Sequence, residues 1–411
     1  MDVPWNWKPH RMVMPANTNY QRWFVLIIIV SATAAGLMGF AAVFPLMNLW
    51  VRDLHISRTQ AGALSGLWYL PGLLVALPAG WLFDRYRPPQ VLRACWIFIM
   101  AGITIMALAP NFGVLCAGRL VFSIGMNAHL VGAPKLVSCW FEGRKELGFA
   151  MGLYAMSAPI GIFASLNALG RIGSAHGWRP AMCLLVGVLA VALALLFLLR
   201  SESSPSGQPA AASRMGLEPF QFGWPVWLLA VGYFGYCIGT EAYLTFTTDY
   251  LVQRGYGLAT ASAMVGNYAY ASFILKPVFS AFLKRKNAAV FVSLASVLAI
   301  LSIALLFDAS ISPNIPSLIL GVSLALGMPA LYALPAFLVG SQKSGHVYGL
   351  LQLFYSLGFF AQPLVGYAVD KSGRYSMGYT VIVADCLLGL MCMLPLVFRT
   401  FVSATESSSG G

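Results

Sequence analysis

The chain has 411 residues, of which 59% are hydrophobic and only 9% charged, with a formal net charge of +12. A water-soluble domain covers itself with about 25% charged residues, so a soluble enzyme or soluble binding module is excluded and lipid is the expected surroundings. The Lys and Arg excess is scattered in short interruptions between apolar runs. That argues against nucleic acid as a partner and reads as loops held on one side of a membrane.

Residues 1–22 form a polar tail carrying Lys8, Arg11 and Arg22, with no apolar h-region, so no cleaved signal peptide is expected. A membrane-crossing helix needs ~20 mostly apolar residues. Such runs fall at about 23–50, 60–82, 90–110, 112–138, 147–170 and 178–199, making a first bundle over 23–199. A Ser-, Pro- and Ala-rich linker occupies 200–222. A second set at about 224–250, 259–283, 288–307, 314–340, 346–369 and 376–399 makes a second bundle over 223–399, and 400–411 is a tail. With the N-terminus inside, fifteen Lys and Arg fall in inner segments and seven in outer ones. Both termini are therefore expected to be cytoplasmic, and the lack of an N-x-S/T sequon agrees with a bacterial inner membrane.

The seven cysteines include no C-x-x-C pair and fall mostly inside apolar runs, so they read as small packing residues, with neither a disulfide framework nor a metal site. The 40 glycines suit close helix packing. The halves resemble each other. Ala61-Gly62-Ala63-Leu64-Ser65-Gly66 aligns with Ala261-Ser262-Ala263-Met264-Val265-Gly266 at an offset of 200, Pro78 with Pro277, and Gly148 and Tyr154 with Gly349 and Tyr355 at 201. An internal duplication of this kind points to a site between the halves and to rocking about it.

An ionisable group in hydrocarbon costs ~2.5–3.5 kcal/mol or more, so those that persist usually face a cavity and a partner. The candidates are Arg119, Lys276, Glu241 and Asp385. Lys135 lies near the end of its run, where it can snorkel. Burial favours the neutral form of a carboxyl and nearby cations favour the charged one, so Glu241 is a candidate carrier of a coupling proton, with an ion pair to Arg119 or Lys276 as the structural alternative. Asp385 is expected to be structural. His129 is a titratable group or a packing residue.

Gly80-Trp81-Leu82-Phe83-Asp84-Arg85-Tyr86-Arg87, after the second run, resembles the G-x-x-x-D-R-x-G-R-R loop of the major facilitator superfamily. The resemblance implies a gating latch at Gly80, Asp84, Arg85 and Arg87. Arg87 replaces the family's second glycine, Pro88-Pro89 replace the basic pair, and Phe279 and Leu283 stand where the second half would keep Gly and Asp. Arg119 opening Gly118-Arg119-Leu120-Val121-Phe122-Ser123-Ile124-Gly125-Met126-Asn127, then Ala158-Pro159-Ile160-Gly161 and Gly177-Trp178-Arg179, extend the likeness to the branch of oxalate:formate antiporters and monocarboxylate porters. The fold so implied is all-α integral membrane, twelve transmembrane helices in two pseudo-symmetric six-helix bundles.

In that branch a basic residue before proline contacts the substrate carboxylate; Lys276-Pro277 matches it with a point charge in place of an arginine fork. Tyr355 stands where oxalate carriers have a second cation, so two-cation oxalate binding is not expected. Gln352 and Tyr355 share a helix face, and Tyr332 resembles the tenth-helix aromatic of the group. The expected substrate set is Lys276, Arg119, Tyr355, Gln352, Tyr332, Tyr154 and Asn127, with Glu241 for proton coupling. The expected protein is a monomeric secondary transporter of a small organic anion such as a monocarboxylate, driven by alternating access and coupled to H+, without cofactor. The alternatives are an exporter of drugs or amphipathic compounds, or a carrier of an inorganic anion or iron complex. No H-E-x-x-H, G-x-S-x-G or Walker sequence supports a membrane enzyme.

Overall fold

The structure is a computed structural model, and it describes residues 18–86, 88–141, 146–199, 223–339 and 344–408. Among these, regular structure is helical throughout, and the helices taken in chain order are consistent with twelve spans. The first half holds Thr18–Phe40 with Val43–Asp53 (first span), Arg58–Gly66 with Leu70–Arg85 (second), Pro88–Ala107 (third), Phe112–Phe141 (fourth), Leu147–Ala155 with Ser157–Ala164 and on to Gly170–His176 (fifth), and Trp178–Phe197 (sixth). The second half holds Trp224–Gln253 (seventh), Leu258–Gly266 with Tyr268–Phe282 (eighth), Ala288–Leu306 (ninth), Asn314–Val339 (tenth), Ser344–Ser356 with Gly358–Ser372 (eleventh) and Tyr375–Ser408 (twelfth). The end where the first span begins is the tail side; the opposite end is the far side.

Among the described residues, eight helical stretches are long and apolar enough to cross a membrane. They belong to the first, third to sixth, ninth, tenth and twelfth spans. Of the other four, the second is divided by the turn at Leu67–Tyr69, the eighth carries Asn267 and Lys276, the eleventh Gln352 and Gln362, and the seventh Thr240, Glu241, Thr245, Thr247, Thr248 and Asp249 along its length. These four contribute Tyr69, Glu241, Tyr268 and Tyr355 to the site described below.

Hydropathy predicts continuous helix through the first, second, fifth, eighth and eleventh spans, each of which is broken, and in the first, second and fifth the cause is proline. Proline lacks an N–H and its ring clashes with the carbonyl four residues earlier. Pro45, Pro71 and Pro159 stand four residues after Ala41, Leu67 and Ala155, where the first, second and fifth spans break. The breaks also repeat. The second span stops at Gly66 and the eighth at Gly266, 200 residues apart; the fifth stops at Ala155 and the eleventh at Ser356, 201 apart. The sequence repeat is thus written again in backbone geometry. Other boundaries move outward from those expected. The first helix starts at Thr18, and the twelfth runs to Ser408 because no Gly or Pro follows Pro395 until Gly410. A π-helical turn, Ser165–Leu169, prolongs the fifth span to His176, where Gly177 at φ 85° ends it.

The halves are joined from mid-molecule to the far side. A Cβ on Gly62 would lie 2.5 Å from the Gln362 carbonyl oxygen, and one on Gly66 2.8 Å from that of Phe359, so the second and eleventh spans touch backbone to backbone. Arg58 of the first half pairs with Asp249 of the second at 3.0 Å at the far end. On the tail side Leu74, Tyr270 and Tyr332 are exposed. The contacts that join the halves thus gather from mid-molecule to the far end.

Candidate functional site

Glu241 lies midway along the seventh span and is half-buried, reachable from the space between the halves. Its Oε2 accepts a hydrogen bond from the hydroxyl of Tyr69, in the first half, and its Oε1 one from Tyr355, in the second. One carboxyl group therefore ties the two halves together. The sequence supplies this locally through the break at Leu67–Tyr69, which turns Tyr69 off the line of its helix just before Pro71. The Tyr69 and Tyr355 rings meet edge-on at 4.9 Å, and Tyr233 packs on Tyr355 at 5.9 Å. Tyr268, at the restart of the eighth span, lies within electrostatic reach of Glu241, and its buried hydroxyl has no hydrogen-bond partner among the described residues. Gln362 Nε2 lies 3.5 Å from the Tyr69 hydroxyl.

Around this centre the expected residues divide. Tyr355 is in it. Tyr332, of the tenth span, lies against Tyr233 with ring centroids 6.5 Å apart, and Tyr154, from the fifth span of the other half, is within electrostatic reach of Tyr332. Asn127 and Gln352 converge from opposite halves. A Cβ on Gly72 would meet Asn127 Oδ1 at 3.1 Å and Gln352 Nε2 at 3.3 Å. Asn127 spends its amide hydrogens on the carbonyls of Trp68, at 3.2 Å, and Ser123, at 2.9 Å, which leaves Oδ1 on the Gln352 side as an acceptor.

The two expected cations sit elsewhere. Arg119 is fully buried inside the first half, boxed by the rings of Phe40, Trp68 and Phe122 at 5.6–5.9 Å. It donates one hydrogen bond, to the Gly39 carbonyl at 3.3 Å, while its Nε and second terminal nitrogen have no partner among the described residues. Its charge reaches Tyr69 and Glu241 without an ion pair, so it acts on the centre through the field and not by contact. Lys276 is half-buried on the tail-side part of the eighth span. At 1.5 Å per residue it lies ~12 Å below Tyr268, on the face that Tyr268 and Ser272 share at helical spacing. No hydrogen bond or ion pair of its ammonium is found among the described residues.

The remaining candidates are placed as follows. Gly80, Asp84 and Arg85 form the tail-side end of the second span, and Arg87 lies outside the described residues. Lys135 Nζ donates to the Phe83 carbonyl at 3.2 Å, satisfying a helix end. His129 is buried, accepting from Trp96 Nε1 at 3.1 Å and facing Thr33 Oγ1 at 2.9 Å. That is a packing role. Asp385 is half-buried with one oxygen unpartnered among the described residues. Among the described residues no group of His, Cys, Asp and Glu could hold a metal ion. Tyr69, Tyr233 and Tyr268 join the site without having been singled out by sequence reasoning. The only signal for them in the sequence is their place beside a helix break or next to an acid one helical turn or two away.

A twelve-span, two-fold repeated bundle with a polar centre between its halves is the architecture of a secondary transporter. The chain belongs to the Major Facilitator Superfamily, whose family model matches residues 26–363. It is 25% identical over 374 residues to the lysosomal dipeptide transporter MFSD1 of Homo sapiens, covering 84% of this chain and 79% of that one. It is 23% identical over 365 residues to the nitrite extrusion protein of Bacillus subtilis (strain 168), covering 88% and 91%. Its fold matches that of a bacterial homolog to the human lysosomal transporter Spinster, solved in an inward-facing and occupied conformation, with a TM-score of 0.72, 16% identity and coverage of 93% and 98%. The protein is a membrane transporter of small solutes and not an enzyme.

Proposed function

We propose that this transporter carries a small carboxylate-bearing solute, such as a monocarboxylate, by alternating access coupled to a proton on Glu241, and that its tail side is cytoplasmic. The observation that carries the reading is the Tyr69–Glu241–Tyr355 bridge. A charged carboxylate accepts from both phenols and holds the halves together. A protonated one donates its single O–H in one direction, so one phenol must turn from donor to acceptor and a charge-assisted bond becomes a neutral, weaker one. When that bond is the one to Tyr69, proton uptake loosens the tie between the halves. Lys276, half-buried and without an ion pair among the described residues, supplies a positive entry to the tail-side space, and the donors of Tyr268 and Gln352 suit an anionic oxygen.

The test is uptake of radiolabelled lactate into proteoliposomes under an imposed pH gradient. Glu241→Gln is expected to keep lactate exchange but lose gradient-driven accumulation, and Lys276→Ala to raise KM about tenfold, the loss of roughly 1.4 kcal/mol of binding. Accumulation that ignores the gradient and survives both substitutions sinks the reading. One observation favours a second reading. An acid at the centre, Glu241, and a cation, Lys276, ~12 Å tailward of the Tyr268 that neighbours it, suit a solute with both an ammonium and a carboxylate, and one relative bears the name of a dipeptide transporter. Competition of lactate uptake by glycylglycine separates the two.

A further inference from the structure

Two seams between the halves close the far end, and they occupy equivalent places in the two repeats. In one, Arg58, which begins the second span, donates from Nε to Asp249 Oδ2 at 3.0 Å near the end of the seventh. Asp249 is fully buried and also accepts from Asn48 Nδ2 at 2.7 Å and from the Tyr375 hydroxyl. The start of the helix is held as well. Asp370, on the eleventh span, accepts from the backbone N–H of Arg58 at 3.1 Å and of Thr59 at 2.7 Å, and from the Thr59 hydroxyl at 2.7 Å. A carboxylate at a helix N-terminus satisfies orphan N–H groups and the helix dipole. Here that carboxylate comes from the opposite half of the molecule, alongside the local Ser57–Gln60 capping box.

The repeat-mates of these residues are leucines. At the offset of 200, Arg58 corresponds to Leu258, which begins the eighth span, and Asp249 to Leu49, near the end of the first. Helix ends agree with this register, Asp53 matching Gln253. Leu49 and Leu258 converge with Leu46 on Gly173 of the fifth span, where a Cβ would meet their methyl groups at 3.1, 3.8 and 3.0 Å respectively. The same position in the architecture is thus ionic in one seam and apolar in the other.

We propose that the far end works as a one-sided clasp, in which the Arg58–Asp249–Asp370 seam is the latch that parts and the Leu49–Leu258–Gly173 seam is the pivot. Parting leucines exposes apolar surface to water with nothing in return, whereas an apolar contact tolerates small rotations because it is non-directional. Parting the ionic groups returns a buried charge to water and recovers its desolvation cost. Directional hydrogen bonds also let go together, which gives the latch two states. The inference is independent of which solute is carried.

The test is pulsed electron–electron distance measurement on the full chain in lipid nanodiscs, with the seven native cysteines replaced. One label pair, Arg52→Cys with Lys371→Cys, spans the latch, and another, Ser174→Cys with Thr260→Cys, spans the pivot; all four positions are exposed. Asp249→Asn is expected to raise the far-open population across the latch about tenfold, by leaving Arg58 without its buried counter-charge, while the pivot distance holds. Asp370→Asn, which spares the buried pair, is expected to act in the same direction more weakly, and it decides the matter should Asp249→Asn fail to fold. Arg58→Leu with Asp249→Leu, which makes the latch a copy of the pivot, is expected to bring the short distance back. Equal lengthening of both pairs, no lengthening in either single variant, or an open latch in the double-leucine protein overturns the proposal.

Discussion

Glu241 is held by hydroxyls 172 and 114 residues away along the chain, so the central tie exists only in the folded molecule. Removing one donor leaves a half-buried carboxyl short of a partner, which costs about 1–3 kcal/mol. Tyr69→Phe is therefore expected to lower the thermal stability of the detergent-solubilised protein, and Tyr355→Phe to do the same. In a Glu241→Gln background each change is expected to cost less, because the pair shares one acceptor; full additivity in a double-mutant cycle would show that the phenols act elsewhere. Glu241 is legible in the sequence because an acid in an apolar run demands explanation. Tyr355 is legible through the family likeness. Tyr69 is not, since a tyrosine among leucines looks like packing until its distant partner is known. Arg119 is legible as a buried charge, but its box of Phe40, Trp68 and Phe122 is not, because rings drawn from three separate helices leave no mark in one-dimensional spacing.

At the scale of the helix, hydropathy reveals the runs and hides their breaks. An apolar window registers composition, and Pro45, Pro71 and Pro159 change it little, yet each removes a backbone bond and displaces a carbonyl. The break before Pro71 lets Tyr69 turn inward, and the break at Asn267, where no proline stands, does the same for Tyr268. The seam between the second and eleventh spans depends on the opposite property, uninterrupted close approach. A Cβ on Gly366 would fall 2.2 Å from the Arg58 carbonyl oxygen, so Gly366→Ala must push the two spans apart. Overpacking of this kind costs about 1–3 kcal/mol, and the expected result is a lower melting temperature. Gly152→Ala is the matched control. Nothing lies within 4 Å of its Cβ position, and alanine is the better helix former by up to about 1 kcal/mol, so its melting temperature is expected to hold or rise. A fall of similar size in both would mean that close approach at the seam does not set the result.

Across the whole molecule, basic residues on both sides serve the fold. On the far side Arg58 pairs with Asp249, Arg179 donates to the Ala109 carbonyl at 3.2 Å, and Arg254 to the Leu306 carbonyl at 3.0 Å; on the tail side Arg22 pairs with Glu146 at 3.2 Å and Arg93 donates to the Leu196 carbonyl at 3.3 Å. On the tail side Lys284, Arg285 and Lys286, between the eighth and ninth spans, are exposed to solvent. Orientation in a membrane is set by Lys and Arg in short loops beside the spans. The solvated tail-side group sets three cations side by side for that part, whereas the exposed far-side Arg52, Arg171, Lys371 and Arg374 are spread over separate span ends. The tail side is accordingly expected to face the cytoplasm, and this can be read directly in a protein whose native cysteines have been replaced. In intact cells a membrane-impermeant maleimide is expected to label Arg374→Cys, in the turn between the eleventh and twelfth spans. It is expected to spare Lys284→Cys, in the turn between the eighth and ninth, until the membrane is opened. The reverse pattern would invert the molecule and place the Arg58–Asp249 seam on the cytoplasmic side.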